Sequence, residues 1–187
     1  MFDFPDFGIR LRAFGQPTDL DNLMKQGNDT KIAPLLTLRF IVPRGDEAYH
    51  EMLKNDYEKK TEMCCVVETI PSTKDESPEY VGTTALWKSG EPGMRHVQFS
   101  IVLEKKFWGK GLGKKLTNFM VDYAFRNLNM HRIGLGVFEG NDRALAVYKK
   151  WCATFSYYAK PCKLNFHSRT KWICVGRYRE KVELVQR

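Results

Sequence analysis

The sequence predicts an α/β fold on a mixed sheet, and three observations predict it. From residue 96 onward, runs with the two-residue period of strands alternate with runs of helical period. The run RIGLGVF at 132–138 sits between two such helical runs and has parallel character. A chain of 187 residues with 43% hydrophobic and 13% aromatic side chains can bury one core, which predicts a single domain over 1–187.

Each element follows from local pattern. IRLRAF at 9–14 alternates as a first strand. PTDLDNLMKQGND has Thr18 or Asp19 as a cap, apolar Leu20 and Leu23, and Gly27 as a stop, so it predicts a short helix. An acidic helix is expected over 45–60. EMCCVVETI at 62–70 and YVGTTALWKS at 80–89 are strand-forming runs around the loop PSTKDESPE, which predicts a hairpin. In HVQFSIVL at 96–103, Val97, Phe99, Ile101 and Leu103 face one way, and His96, Gln98, Ser100 and Val102 the other. A polar strand face means either a cavity or an edge in water. Leu116, Phe119, Met120, Tyr123 and Ala124 recur at helical spacing. A last helix has Asn141 or Asp142 as its cap and a stripe of Ala144, Val147, Tyr148 and Trp151. Two more strands are expected near 153–159 and 171–179.

Charge and cysteine content narrow the classes. The net charge of +8 favours anionic partners without choosing among nucleic acid, membrane and a phosphorylated cofactor. Residues 45–81 carry an acidic excess and residues 160–187 a basic one, read either as solvated faces or as an acidic lip for a cationic substrate. The 5 cysteines fit no zinc spacing and no paired framework, so free thiols are expected. The N-terminal residues lack a leader pattern, and no run approaches the ~18 apolar residues of a membrane span. The expectation is a cytoplasmic protein without a membrane or a metal, monomer or homodimer, with a nuclear location also open.

The segment FWGKGLGKK at 107–115 carries the chemistry. A strand, a glycine-rich turn and a helix start present free N–H groups and the helix dipole to an anion. Three residues, not four, separate Gly109 from Gly113, and Lys115 stands where a P-loop needs a hydroxyl. Lys114 occupies the third glycine position of a dinucleotide fingerprint, so that pattern fails too.

What remains, x-G-K-G-x-G just after a strand, resembles the GNAT family of acyl-CoA-dependent N-acyltransferases. Trp108 stands at the Gln/Arg position of that family's cofactor signature, with Gly111 and Gly113 at its small positions. A second motif, HRIGLGVFEGNDRALAVYKKW at 131–151, is similar to the family's strand-loop-helix. Asn141, Ala144, Tyr148 and Lys150 fall on its Asn-x-x-Ala-x-x-x-Tyr-x-Lys core. The form FWGKG is most similar to the branch of ribosomal-protein N-terminal acetyltransferases. The resemblance implies a mostly antiparallel sheet of about seven strands, with its fourth and fifth strands parallel and splayed, and about four helices. It also implies acetyl-CoA as co-substrate. The amides of Gly109 to Gly113, with Lys110, Leu112 and Lys114, would hold the pyrophosphate. The pantetheine arm would run along Ile101, Val102 and Leu103, beside Gly134 and Gly136.

Amide formation from a thioester needs a neutral amine, donors for the oxyanion and a proton for the leaving thiolate. An N–H near Val102 supplies the oxyanion donor if the strand is bulged there. The resemblance gives Tyr148 the role of acid. For the base, Gln98 stands where many relatives carry glutamate, so His96, a water held by Gln98, bulk water and Glu139 all remain open. Cys152 stands where relatives usually carry the glycine that ends this helix.

The expectation is therefore an N-acetyltransferase moving acetyl to a primary amine, a peptide amino terminus or a small, cationic amine, by direct attack in a ternary complex. The alternative is a GNAT-like module that senses acyl-CoA without turnover. Nucleic-acid binding by the basic, aromatic run near Trp172 and Tyr178 is disfavoured, because those residues alternate as an ordinary strand does.

Overall fold

The computed structural model describes residues 1–36, 45, 47–91, 93–138, 140–154, 158–161 and 170–176, with side chains described through residue 148. The elements are β1 (Phe2–Phe4), β2 (Ile9–Ala13), α1 (Pro17–Asn28), α2 (Glu47–Lys59), β3 (Thr61–Thr69) and β4 (Tyr80–Lys88). They continue with β5 (His96–Leu103), α3 (Leu112–Arg126), β6 (Arg132–Phe138), α4 (Asp142–Thr154), β7 (Tyr158–Pro161) and β8 (Thr170–Gly176). The strands among the described residues form one 8-stranded sheet in the order β1-β2-β3-β4-β5-β6-β8-β7. Only β5 and β6 pair in parallel, and α3 connects them. The expected mixed, mostly antiparallel sheet with four flanking α-helices is present, with one strand more than the seven expected.

The extra strand is β1. It pairs antiparallel with β2, Phe2 opposite Leu11, and three residues are too few to show a period. Phe2 and Phe4 lie 4.9 and 5.2 Å from the Phe119 ring, so β1 covers the middle of α3. Three further boundaries differ from expectation. The N-cap of α1 is Gln16, because Pro17 takes the first helical position. Asp19 still serves that end, accepting the N–H groups of Gly15 and Gln16. Gly27 lies inside α1, which ends one residue later. The strand expected at 153–159 is displaced, because α4 runs to Thr154 and β7 starts at Tyr158.

The two faces of the sheet are unlike. On one, α3 packs Leu116, Met120 and Ala124, all fully buried, against Ile9, Leu11, Val67, Leu86, Val97 and Phe99. That apolar burial is the chief stabilising term. On the other, α1 docks through buried Asp19, Leu23 and Gln26. Arg12 donates from both Nη atoms to Asp19 at 2.6 and 2.9 Å and from Nε to Glu68 at 2.7 Å, and Arg10 reaches the other Glu68 oxygen at 2.7 Å. The Tyr80 hydroxyl donates to Gln26 Oε1 at 3.0 Å and contacts Thr83 Oγ1 at 2.7 Å. Among the described residues, no helix is long and apolar enough to cross a membrane.

Candidate active site

The glycine turn is built for close approach. Gly109 and Gly111 take φ of 78° and 80°, the left-handed region that side chains avoid. A Cβ at Gly109 or Gly113 would meet nothing within 4 Å, so the concavity stays open. Gly111 caps α3 with no side chain contributing, and the first-turn N–H groups are left facing outward. Lys110 lies 4.9 Å from the Phe107 ring. Trp108 does not face the turn as a donor. Its Nε1 donates to Leu103 O at 2.8 Å, which ties the turn to the end of β5.

That end of β5 is one arm of a fork. β5 and β6 pair only over His96–Phe99 and Arg132–Leu135. Beyond this, Ser100–Leu103 stays with β4 while Gly136–Phe138 stays with β8. The parallel strands part just before the glycine turn. Because β1 precedes them, the splayed strands are fifth and sixth in chain order, where the fourth and fifth were expected. β5 is not bulged near Val102, the condition set for an oxyanion donor there: the β4–β5 register runs unbroken from Leu103 to Val97. The irregularity lies one strand over, in β4, where the β3–β4 register shifts between Val67 and Glu68. Gly82 sits there, and a Cβ on it would stand 2.1 Å from Val102 O. Glycine is what lets β4 press against β5 at the fork.

A profile for the acetyltransferase (GNAT) domain matches residues 9–151. The chain belongs to the GNAT acetyltransferase family. Among solved GNAT-fold structures, spermidine N-acetyltransferase from Vibrio cholerae in complex with CoA and spermine superposes with a TM-score of 0.66 at 21% identity, covering 90% of this chain and 96% of that one. A domain from Methanocaldococcus jannaschii gives 0.68 at 14% identity, covering 90% and 98%. The Vibrio cholerae enzyme is also known as a dodecamer in an intermediate state. In sequence, spermidine N(1)-acetyltransferase of Escherichia coli strain K12 is 32% identical over 56 residues, and that of Vibrio cholerae serotype O1 is 36% identical over 56. These matched segments span 30% of this chain, and only 30% and 32% of those proteins.

Within this GNAT domain, the site residues read from sequence divide between the two faces. His96 and Gln98 lie on the α1 side of β5, opposite Arg132 and Gly134 of β6. The edge-strand alternative for this polar face is excluded, because β5 is central. A Cβ on Gly134 would lie 3.5 Å from Gln98 and 3.6 Å from His96 Nε2, so the glycine keeps space beside both. His96 Nε2 is buried with no hydrogen-bond partner among the described residues. Burial, and then the charge of Arg132, hold the imidazole below its ordinary pKa, so it is neutral at neutral pH. Gln98 Nε2 donates to Ser89 Oγ at 3.4 Å, and Ser100 Oγ accepts from Trp87 Nε1 at 2.7 Å.

Tyr148 comes from the other face. It is 5% exposed, and its ring meets Phe99 edge-on with centroids 6.4 Å apart. Its hydroxyl has no hydrogen bond among the described residues, unlike a core tyrosine tied to a carbonyl. Burial raises its pKa, which keeps the phenol protonated. The fork beyond Phe99 and Leu135 is what joins Tyr148 to the His96 side. Asn141 Oδ1 accepts from Ala144 N at 3.1 Å, so Asn141 caps α4, and Ala144 packs on the core. Ile101 and Leu103 also pack on the α3 side, with Val102 opposite. The backbone of Lys150 lies in α4; its side chain, that of Cys152, and Glu139 altogether lie outside the described residues.

Sequence reasoning missed three contributors. Arg143 places Cζ 5.3 Å from the Trp108 ring, bracing the start of α4 on the turn. It sits inside the second motif, which was its only signal. Phe7 stands 3.8 Å from where a Gly111 Cβ would be, and Lys115 lies 5.5 Å from the rings of both Phe4 and Phe7. Nothing in the local pattern links residue 7 to residue 111. Gly82 is the third.

Proposed function

We propose that this chain is an acetyl-CoA-dependent N-acetyltransferase, one domain that transfers acetyl to a primary amine by direct attack in a ternary complex. One observation carries it: parallel strands that part immediately before a glycine turn at a helix start. A peptide-like arm finds free strand backbone in the fork, and phosphates find N–H groups in the turn. The co-substrate supplies a thioester carbonyl, and the rest of the chemistry falls to this chain's residues.

His96 is the base in this reading. Neutral, and buried at Nε2 with no partner there among the described residues, it accepts the amine's proton directly or through one water beside Gly134. Backbone N–H at the start of the fork, just past Phe99, donates to the carbonyl oxygen as it gains charge. As the amine nitrogen bonds to carbon and the carbon–sulfur bond breaks, Tyr148 gives its proton to the departing sulfur. Gln98 cannot take a proton and instead orders the wall beside His96.

For the amine, a polyamine ranks ahead of a peptide amino terminus. The named relatives support this, together with the exposed Glu47, Glu51 and Glu58 of α2 on the acidic side of the chain. The FWGKG form keeps the peptide reading as the second choice. Gln98 in place of a carboxylate favours one rival, an acyl-CoA sensor without turnover.

Thiol release with spermidine, spermine and a peptide amine decides among them. Release with a polyamine and not with the peptide is expected. Binding of acetyl-CoA with no release across the panel would make the sensor the correct reading. Gly111→Glu should abolish acetyl-CoA binding, measured by isothermal titration; tight binding by that variant would move the phosphate site elsewhere.

A further inference from the structure

One row across the sheet sets a large ring beside a position with no side chain. Thr61 of β3 stands opposite Trp87 of β4, Trp87 opposite Gln98 of β5, and Gln98 opposite Gly134 of β6. Residues directly opposite share a face, so the row lies on the α1 side with His96. The floor is open at Gly134, where a Cβ would lie 3.5 Å from Gln98. The indole of Trp87 forms a wall on the other side of Gln98. Trp87 Nε1 donates to Ser100 Oγ at 2.7 Å. Ser100 is the first residue of β5 beyond its pairing with β6. That bond leans the indole along β5 to the start of the fork. Tyr57 of α2 meets the indole edge-on with centroids 4.8 Å apart, and Phe14, just after β2, stacks on Tyr57 at 5.3 Å. The indole is thus fixed in orientation, yet Trp87 is only half-buried and keeps surface for a ligand.

A polyamine reacts through a neutral nitrogen, while its other nitrogens keep their protons at neutral pH. A charge carried among half-buried groups needs a partner. The described partners of Trp87 are Thr61 and Gln98 across the strands, Ser100 by hydrogen bond and Tyr57 by its ring, and none is a carboxylate. Burial keeps the Tyr57 phenol and the thiol of Cys64, opposite Ala85, protonated. Asp56, next to Tyr57 in α2, is already paired with Lys60 at 2.5 Å. What this wall offers a cation is the face of the indole, the strongest of the aromatic rings for that contact. An amine with an apolar tail gains no electrostatic attraction from it.

We propose that Trp87 is a specificity-determining residue of the amine site, its indole receiving an ammonium of a polyamine while the neutral nitrogen attacks at the fork. This rests on the acetyltransferase reading above and deepens its choice of amine. The exposed glutamates of α2 draw a polycation from water, and Trp87 sorts amines beside the acyl group.

The test is thiol release by the full chain with spermidine and with an alkyl monoamine of similar length, for wild type, Trp87→Leu and Trp87→Phe. Trp87→Leu should raise KM for spermidine about tenfold, the loss of one cation–π contact, and leave KM for the monoamine nearly unchanged. Trp87→Phe keeps a ring and should fall between. The acetyl-CoA dissociation constant should match wild type in both variants, which shows that each is folded. If Trp87→Leu binds no acetyl-CoA, Trp87→Phe decides alone. A KM that rises alike for both amines makes Trp87 a packing wall and overturns the proposal. So does a spermidine KM that neither variant moves; the acetyltransferase reading then stands. If wild type binds acetyl-CoA but releases no thiol with either amine, the transferase reading falls. Isothermal titration with spermidine then reads the Trp87 contact directly, with the same loss expected. No spermidine binding by folded wild type overturns both.

Discussion

The α3 face and the α1 face of one sheet are held by different forces. On the α3 face, Leu116, Met120, Ala124, Val97 and Leu135 are buried among other apolar side chains, and adhesion there is non-directional. On the α1 face, Asp19, Gln26, Glu68 and Thr83 are buried beside Leu23, Val66 and Ala85, and adhesion depends also on hydrogen bonds with fixed partners. The first face tolerates changes of shape that conserve volume; the second does not tolerate the loss of one partner. The division suits the proposed chemistry. A cationic amine arrives on the side already furnished with polar groups, and the acyl group meets it through the fork.

Removing one partner from the α1 face should give the largest effect. Arg12→Leu leaves Asp19 buried and unpaired, and should lower unfolding free energy in urea by about 4 kcal/mol. Adding Asp19→Asn to that variant should recover part of the loss. Leu116→Ala on the α3 face should cost about 3 kcal/mol through the cavity it leaves, with no such partner able to rescue it. If the two single losses responded alike to a second-site change, the contrast between the faces would fail.

Acid should separate the faces next. Burial alone would raise the Asp19 pKa, but the hydrogen bonds from Arg12, Gly15 and Gln16 outweigh it, and the carboxyl sits below its ordinary value. Its stabilisation is therefore complete above the ordinary carboxylate range and is lost as pH falls through the folded value. His96, also lowered, protonates first in the unfolded chain, so acid costs stability from about pH 6.5 downward. As pH falls, the urea midpoint should drop first through the His96 step and then through the Asp19 step, and His96→Gln should remove the upper one. Leu116→Ala should keep the wild-type pH profile, merely displaced.

Smaller effects sharpen the boundary. Trp87→Phe removes the donor to Ser100 Oγ and should cost about 1 kcal/mol. Tyr148→Phe should change stability by no more than about 0.5 kcal/mol, since its hydroxyl holds nothing among the described residues. It should nevertheless slow turnover while leaving the acetyl-CoA dissociation constant unchanged. Unaltered turnover would remove Tyr148 from the chemistry.

The α3 face was the more legible of the two in the sequence. Apolar spacing is a local signal, and Leu116, Met120 and Ala124 repeat it within one helix. The glycine turn was legible for the same reason, since Gly109 and Gly111 mark left-handed backbone without reference to anything distant. The α1 face was not. Arg12 and Glu68 stand 56 residues apart, and no local pattern announces that they meet. The same holds for Phe7 at Gly111. β1 escaped notice because its apolar residues make sense only against Phe119 and Tyr123. The condition of a bulge in β5 is not met; the register shift lies in β4, beside Gly82.

The fork has a consequence for the protein's lifetime as well as its chemistry. Past Phe99 and Leu135 the two strands no longer pair with each other, and the sheet has an unfinished seam. A ligand that fills the seam acts by mass action as a missing piece of the fold, adding about 2.7 kcal/mol at a hundredfold excess over its dissociation constant. A cell short of acetyl-CoA would then hold this chain closer to unfolding, and abundance would follow the metabolic state even where transcription did not.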